Sequence, residues 1–220
     1  MTELRPPGAD DDAYSRQIRD EQGTVQLVAG LRDLIGTVRL VDAPPEVLAE
    51  ALELVRRAGE VLAPHSSLGA DALGAVGMGD PAPSRTRPVG SRLGDEFPYS
   101  PVTGRRNPIS PPLDLRFDGE RVRARATLDL RYAGPPSTMH GGIAALVLDE
   151  LLGTTNFCHG VGARTGTLSV RYERPTPLGV ELELEGWLDR VEGRKVFTQG
   201  TISHAGEITA RGEGIFILSR

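Results

Sequence analysis

The chain has 220 residues, 39% of them hydrophobic and 25% charged, with a formal net charge of −5 and a pI near 5.5. That length holds one ordinary domain plus an extension, and the acidic balance argues against a general nucleic-acid binder, whose domain is usually basic. No run approaches the ~18 consecutive apolar residues of a membrane span, and the N-terminus lacks the apolar region of a secretory signal.

Residues 1–20 are polar, carry an Asp10-Asp11-Asp12 run and read as a frayed tail. In residues 24–40, Val25, Val28, Leu31, Leu34, Ile35 and Val38 recur at three and four, which is helical spacing. Gly30 and Gly36 weaken that helix. A second helix follows, with Asp42 as its cap and Pro44-Pro45 at its first turn. Val47, Leu48, Ala51, Leu54, Val55, Ala58 and Leu62 make one apolar face, and Pro64 ends it. Residues 21–63 thus form a helical extension. Residues 64–93 are rich in Gly, Ala, Ser and Pro without a period, and read as a flexible connection.

A second unit is expected over residues 94–220. It opens with an extended, proline-punctuated segment from Phe97 to Pro112. Leu113 to Phe117 alternates and meets Asp118-Gly119, a hairpin signal into the alternating run from Arg121 to Leu130. A turn-rich loop from Pro136 then becomes an apolar helix to about Thr155, with Ile143, Leu146, Leu148, Leu151 and Leu152 pointing in several directions. A helix apolar nearly all round is buried. Cys158, the only cysteine, leaves no internal disulfide to form, which suits a reducing cytoplasm. Strand-like runs follow at residues 165–172, 180–188, 195–204 and 207–218. The fold class is therefore α+β, with an antiparallel sheet curled around one central helix.

Two features of that helix point to chemistry. Asp149 sits within the apolar run, where a carboxylate without partners costs several kcal/mol. Gly141-Gly142 stand where the loop turns into the helix, behind His140. A helix N-terminus presents free N–H groups and partial positive charge, and glycine lets a ligand carbonyl come close. That combination suits an oxyanion site, the alternative being glycines that serve only a tight loop-to-helix turn. Gly142 and Asp149 are seven residues apart, or ~10 Å along a helix. One helix cannot bring both to a single carbonyl, but two copies packed antiparallel can. A dimer with the site at its interface is the expectation.

His-Gly-Gly, six further residues and then Asp-Glu resembles the hotdog-fold thioesterases of the PaaI-like type. The flanks Gly104–Pro112 and Arg131–Pro136, and the strand Arg164–Gly179 with its Arg-Tyr-x-Arg-Pro-x-Pro end, resemble members of that family too. The resemblance covers about residues 97–220. It implies a curved antiparallel sheet around one helix, assembled as homodimers or homotetramers. It also implies hydrolysis of acyl-CoA thioesters with no metal or redox cofactor, while charge and hydropathy lead to the expectation of no nucleic-acid or membrane partner. Carried over by position, Asp149 is the general base or nucleophile and Gly142 N–H the oxyanion donor. His140 supports the loop, and Thr165 orients the carboxylate or the water. Some relatives carry an Asn in the loop before His-Gly-Gly, where this chain reads Gly134-Pro-Pro-Ser-Thr.

Glu150 competes with Asp149, but neighbours on a helix point about 100° apart, so only one faces the site. The Cys158-His159 pair lacks the spacing of a nucleophile and base, and the four histidines have no metal-ligand spacing. Ser137 and Ser169 have no G-x-S-x-G context. CoA phosphates call for a basic rim, for which Arg171, Arg174, Arg194 and Lys195 at strand ends are available, Arg194 and Lys195 foremost. The competing reading is a non-catalytic acyl-CoA-binding or scaffold protein on the same fold. A hotdog dehydratase ranks last, since it uses a different His/Asp arrangement.

Overall fold

The computed structural model describes residues 21–66 and 86–218. The tail at 1–20, and most of the connection expected at 64–93, lie outside the described residues. Two helices come first, α1 (Glu21–Leu40) and α2 (Pro45–Leu62), followed by a 3-10 turn at Ala63–His65. Asp42 does not cap α2. Its N-cap is Pro44, in extended backbone with no side-chain cap, and Pro45 fills the first helical position, where its missing N–H costs nothing. The helix stops at Leu62, just before Pro64, which sits in the 3-10 turn that follows.

Residues just ahead of the sheet are tied to it. Gly90 N–H donates to the Phe117 carbonyl and Phe117 N–H to that of Ser91. Leu93, at the start of the four-residue helix α3 (Leu93–Glu96), is fully buried. The hairpin expected at Asp118-Gly119 joins β1 (Arg116–Phe117) to β2 (Arg121–Thr127). The central helix α4 spans Gly141–Cys158, about a turn longer than its pattern indicated. The strands that follow are β3 (Ala163–Tyr172), β4 (Glu181–Glu192), β5 (Lys195–His204) and β6 (Glu207–Leu218).

These strands form one six-stranded sheet in the order β1-β2-β4-β5-β6-β3, antiparallel at every pair. Helix α4 lies across one face of it, touching β2 through β6. That is the hotdog arrangement. Val147, Leu148, Leu151 and Leu152 meet Val122, Leu182, Leu184, Ile202 and Phe216 in the core. The helix is not apolar on every side for packing alone, since Leu146 is 40% exposed. On the outer face, Arg121, Arg123 and Arg125 of β2 pair across to Glu181, Glu183 and Glu185 of β4. Such exposed pairs add a few tenths of a kcal/mol each and keep that face in water.

One detail of the sheet sets where α4 rests. Gly186, Gly200 and Gly212 are register neighbours on β4, β5 and β6. A Cβ at Gly186 would stand 2.6 Å from Thr155 Oγ1, at Gly200 3.0 Å from Leu152 Cδ2, and at Gly212 3.2 Å from Leu148 Cδ2. The helix therefore lies in a trough of bare backbone. No helix among the described residues is long and apolar enough to cross a membrane.

Candidate functional site

The loop before α4 satisfies its own backbone. Gly134 N–H donates to Thr138 O, Met139 N–H to Thr176 O and His140 N–H to Tyr132 O. Ser137 adopts a positive φ of 62° to close the turn. His140 is then the N-cap of α4, and its Nδ1 accepts from Gly142 N–H at 2.9 Å. Accepting through Nδ1 requires a neutral ring with its proton on Nε2. The N–H expected to receive an oxyanion is thus held by the neighbouring imidazole. Gly141 N–H, one residue earlier, donates to no group among the described residues. Tyr172 on β3 braces this end of the helix, its hydroxyl donating to Gly141 O at 2.8 Å. A Cβ at Gly141 would stand 3.4 Å from the Tyr172 ring.

Asp149 lies two turns further on, half-buried, and Thr165 Oγ1 donates to its Oδ1 at 3.0 Å. No ion pair to Asp149 exists among the described residues. Thr165 is aimed there by a β-bulge: the register of β3 on β6 shifts between Thr165 and Thr167, with Gly166 as the extra residue. Gly166 permits it, since a Cβ would come within 3.2 Å of Ile215 O.

Glu150 points elsewhere. Its Oε1 accepts from Ser100 Oγ at 2.6 Å and Thr103 Oγ1 at 2.8 Å, fastening α4 to the proline-punctuated segment. Both hydroxyl partners are remote in sequence, so only the fold reveals the division of labour between the two acids. Tyr172 was likewise missed as a site residue, although it stands inside the Arg-Tyr strand end.

Arg194 and Lys195 lie at the β4–β5 turn. Arg194 Nη2 donates to Leu218 O. Lys195 and Arg164 both register opposite Ile217, whereas Val196 and Thr165 register opposite buried Phe216. Side chains alternate between faces. Lys195 and Arg164 are therefore on the outer face of the sheet end that carries Thr165. Arg174 is paired with Glu207. Arg171 registers opposite Arg211, which is itself held by Glu173.

Cys158 is fully buried, and desolvation pushes its thiol up to about 12. His159 faces Glu120 O and the Phe117 ring instead of this sulfur. No nucleophile–base pair results. Native protein at pH 8 is expected to resist iodoacetamide, and to be alkylated once unfolded in guanidinium, as read by intact mass. Rapid alkylation of the native state would contradict this burial. No cluster of His, Cys, Asp and Glu suited to a metal ion exists among the described residues.

Residues 137–210 match the family model described as Thioesterase superfamily. A solved crystal structure described as a thioesterase superfamily protein is 30% identical, with 88% of this chain and 94% of that one covered at a TM-score of 0.73. Acyl-coenzyme A thioesterase THEM4 of Bos taurus is 35% identical over 86 residues, covering 38% of this chain. Acyl-coenzyme A thioesterase THEM5 of Homo sapiens is 30% identical over 87 residues, again 38% of this chain. The matched stretch spans 35% of the length of each of these two curated relatives.

Proposed function

The chain belongs to the thioesterase superfamily, and from that footing we propose that it hydrolyses acyl-CoA thioesters to a free acid and CoA. The observation that carries this reading is the Thr165–Asp149 hydrogen bond, which holds one oxygen of an acid half-buried beside an apolar helix. With Oδ1 accepting from Thr165, Oδ2 takes a proton from water, and the water oxygen attacks the thioester carbon. The C–S bond then breaks, and the proton passes to the departing thiolate. Direct attack by Asp149 would give a mixed anhydride that water opens, with the same products. A thioester is already an activated acyl group, so neither route needs a Ser–His pair.

The carbonyl oxygen gains charge in this step and needs a donor aimed at it. That donor is Gly142 N–H, with Gly141 N–H open beside it. His140 Nδ1 occupies the Gly142 donor at rest and yields it to the substrate oxygen. The helical spacing puts Asp149 ~10 Å away, so the acid acting on this carbonyl comes from a second copy. Strand β3 supports such a dimer. It is ten residues long, lies at the sheet edge and has no partner on its outer side among the described residues. An unpaired edge of that length is a template for another strand. A two-fold axis beside β3 continues the sheet and sets the two α4 helices antiparallel. Pairing of two such dimers gives the tetramer. Arg194, Lys195 and Arg164 stand at the sheet end to meet CoA phosphates. The single cysteine, Cys158, supports a reducing cytoplasm as its compartment.

The experiment is thiol release from acetyl-, medium-chain, long-chain and aryl-CoA substrates by the purified protein. Release that rises with protein concentration supports the reading. Saturable acyl-CoA binding with no release from any of them would replace it with the binding-protein alternative. Thr165→Val is expected to lower kcat about tenfold with KM little changed, the scale of one hydrogen bond to a charged group, and Thr165→Ser to restore it. Equal rates for Val and Ser variants would remove Thr165 from the mechanism.

A further inference from the structure

Beside the site face of α4 is an apolar cavity of about 280 Å³, lined among others by Ile35 of α1, Pro101, Ile109, Arg131, Ile143 and Leu146. Its floor is the catalytic helix itself. Ile143 follows Gly142 directly, and Leu146 is one turn after Gly142 and three residues before Asp149. Residues three and four apart on a helix have Cβ atoms about 5–6 Å from one another, so Leu146 borders both half-sites. Leu146 and Ile109 are exposed at 40% and 64%, and Ile35 at 43%. Three large apolar side chains thus face solvent around one concavity.

The roof comes from the N-terminal helix and is held in place. Arg32 Nη2, one turn before Ile35, donates to the carbonyls of Gly104 and Asn107 at 2.8 Å each. Arg131 Nη1 donates back to Arg32 O at 2.8 Å. Glu21 at the start of α1 pairs with Arg106. Helix α1 is therefore pinned to the 98–111 segment, with Ile35 over the cavity.

The one charged residue lining the cavity has no charge to spare. Arg131 Nε donates to Asp129 at 2.9 Å, Nη2 lies 2.8 Å from Asp129 Oδ2, and Nη1 is taken by Arg32 O. The other polar side chain in the lining is Tyr132, an uncharged phenol, and the remaining lining residues are Ile, Leu and Pro, so nothing there would neutralise a carboxylated occupant. The occupant is apolar.

We propose that this cavity is the acyl pocket, and that α1 sets its depth through Ile35. The proposal rests on the thioester-hydrolysis reading above. The carbonyl oxygen sits at Gly142, and the acyl chain runs over Ile143 and Leu146 beneath Ile35 of the same copy. On the scale at which an apolar cavity of about 150 Å³ holds one benzene ring, the space takes an acyl group of roughly ten carbons. Each methylene buried up to that length adds about fourfold to kcat/KM, and longer chains add nothing.

The test is a chain-length profile of kcat/KM from acetyl- to palmitoyl-CoA for the wild type, Ile35→Ala and Ile35→Trp, with binding of non-hydrolysable acetyl and decanoyl thioether analogues of CoA measured in parallel. Ile35→Trp is expected to lower decanoyl-CoA turnover and decanoyl-analogue affinity at least tenfold, with acetyl-CoA changed less than twofold. Ile35→Ala is expected to move the optimum to longer chains. Turnover with the same profile in all three proteins overturns the pocket and leaves the hydrolase reading standing. An equal loss for acetyl and decanoyl forms overturns it too, because the cavity would then hold part of CoA. Selective loss of decanoyl-analogue binding without turnover in any protein keeps the pocket and overturns hydrolysis. Absence of both turnover and analogue binding overturns both.

Discussion

Asp149→Ala is expected to lower kcat for acyl-CoA hydrolysis about a thousandfold, within the range that a positioned acid or base contributes. Among the described residues, the acid has a single side-chain partner, Thr165 Oγ1, so the variant loses one half-buried hydrogen bond and little packing. Its melting temperature should stay within a few degrees of the wild type, which separates lost chemistry from lost folding. Glu150 cannot take over, because it points about 100° round the helix from Asp149 and Ser100 and Thr103 hold its carboxylate there. The measurement is steady-state thiol release together with a thermal melt. Unchanged turnover in a folded Asp149→Ala protein would remove this residue from the mechanism.

The largest effect on stability is expected from Gly104→Ala. A Cβ there would stand 2.5 Å from Ser100 O, 2.6 Å from Pro98 O and 2.6 Å from Ser100 N. All three are backbone atoms, so no side chain can swing aside. The same residue accepts from Arg32 and from Ser110 through its carbonyl. Overpacking of this kind costs about 3 kcal/mol, which lowers Tm by roughly 6–12 °C for a chain of this size. Turnover should fall as well, because the distorted segment carries both hydroxyls that fasten Glu150 and the residues that anchor α1. A melt within two degrees of the wild type would show that the segment relaxes freely.

Much of the domain was legible because its signals are local. Alternation in residues 121–127 and 181–188, the turn at Asp118-Gly119, and the apolar run after His140 each act within a few residues. The spacing of Gly142 and Asp149 was readable for the same reason, since it is helical arithmetic. What was not legible depends on partners far apart in the chain. The spacing gave α2 one apolar face, yet Val47, Leu48 and Val55 on it are exposed in this chain. Nothing local marks out Arg32 on its helix, yet it crosses more than seventy residues of sequence to reach Gly104 and Asn107. The Thr165 bulge is invisible in the alternation of β3, because it appears only in the register against β6. His140 read as loop support, and only the coordinates put its Nδ1 on the very N–H that the chemistry needs.

The glycine trough under α4 has a further consequence for such a two-copy site. Gly186, Gly200 and Gly212 put no side chain between the helix and the sheet, so the bare backbone sets how deep α4 sits. Depth is the coordinate that matters when the donor rides on one helix and the acid on its symmetry mate. A two-fold axis doubles every error: a helix raised by a given distance in each copy changes the gap between donor and acid by as much as twice that distance. In the proposed two-copy site, the absence of three methyl groups from the sheet would thereby set the tolerance between donor and acid, through residues that never touch the substrate.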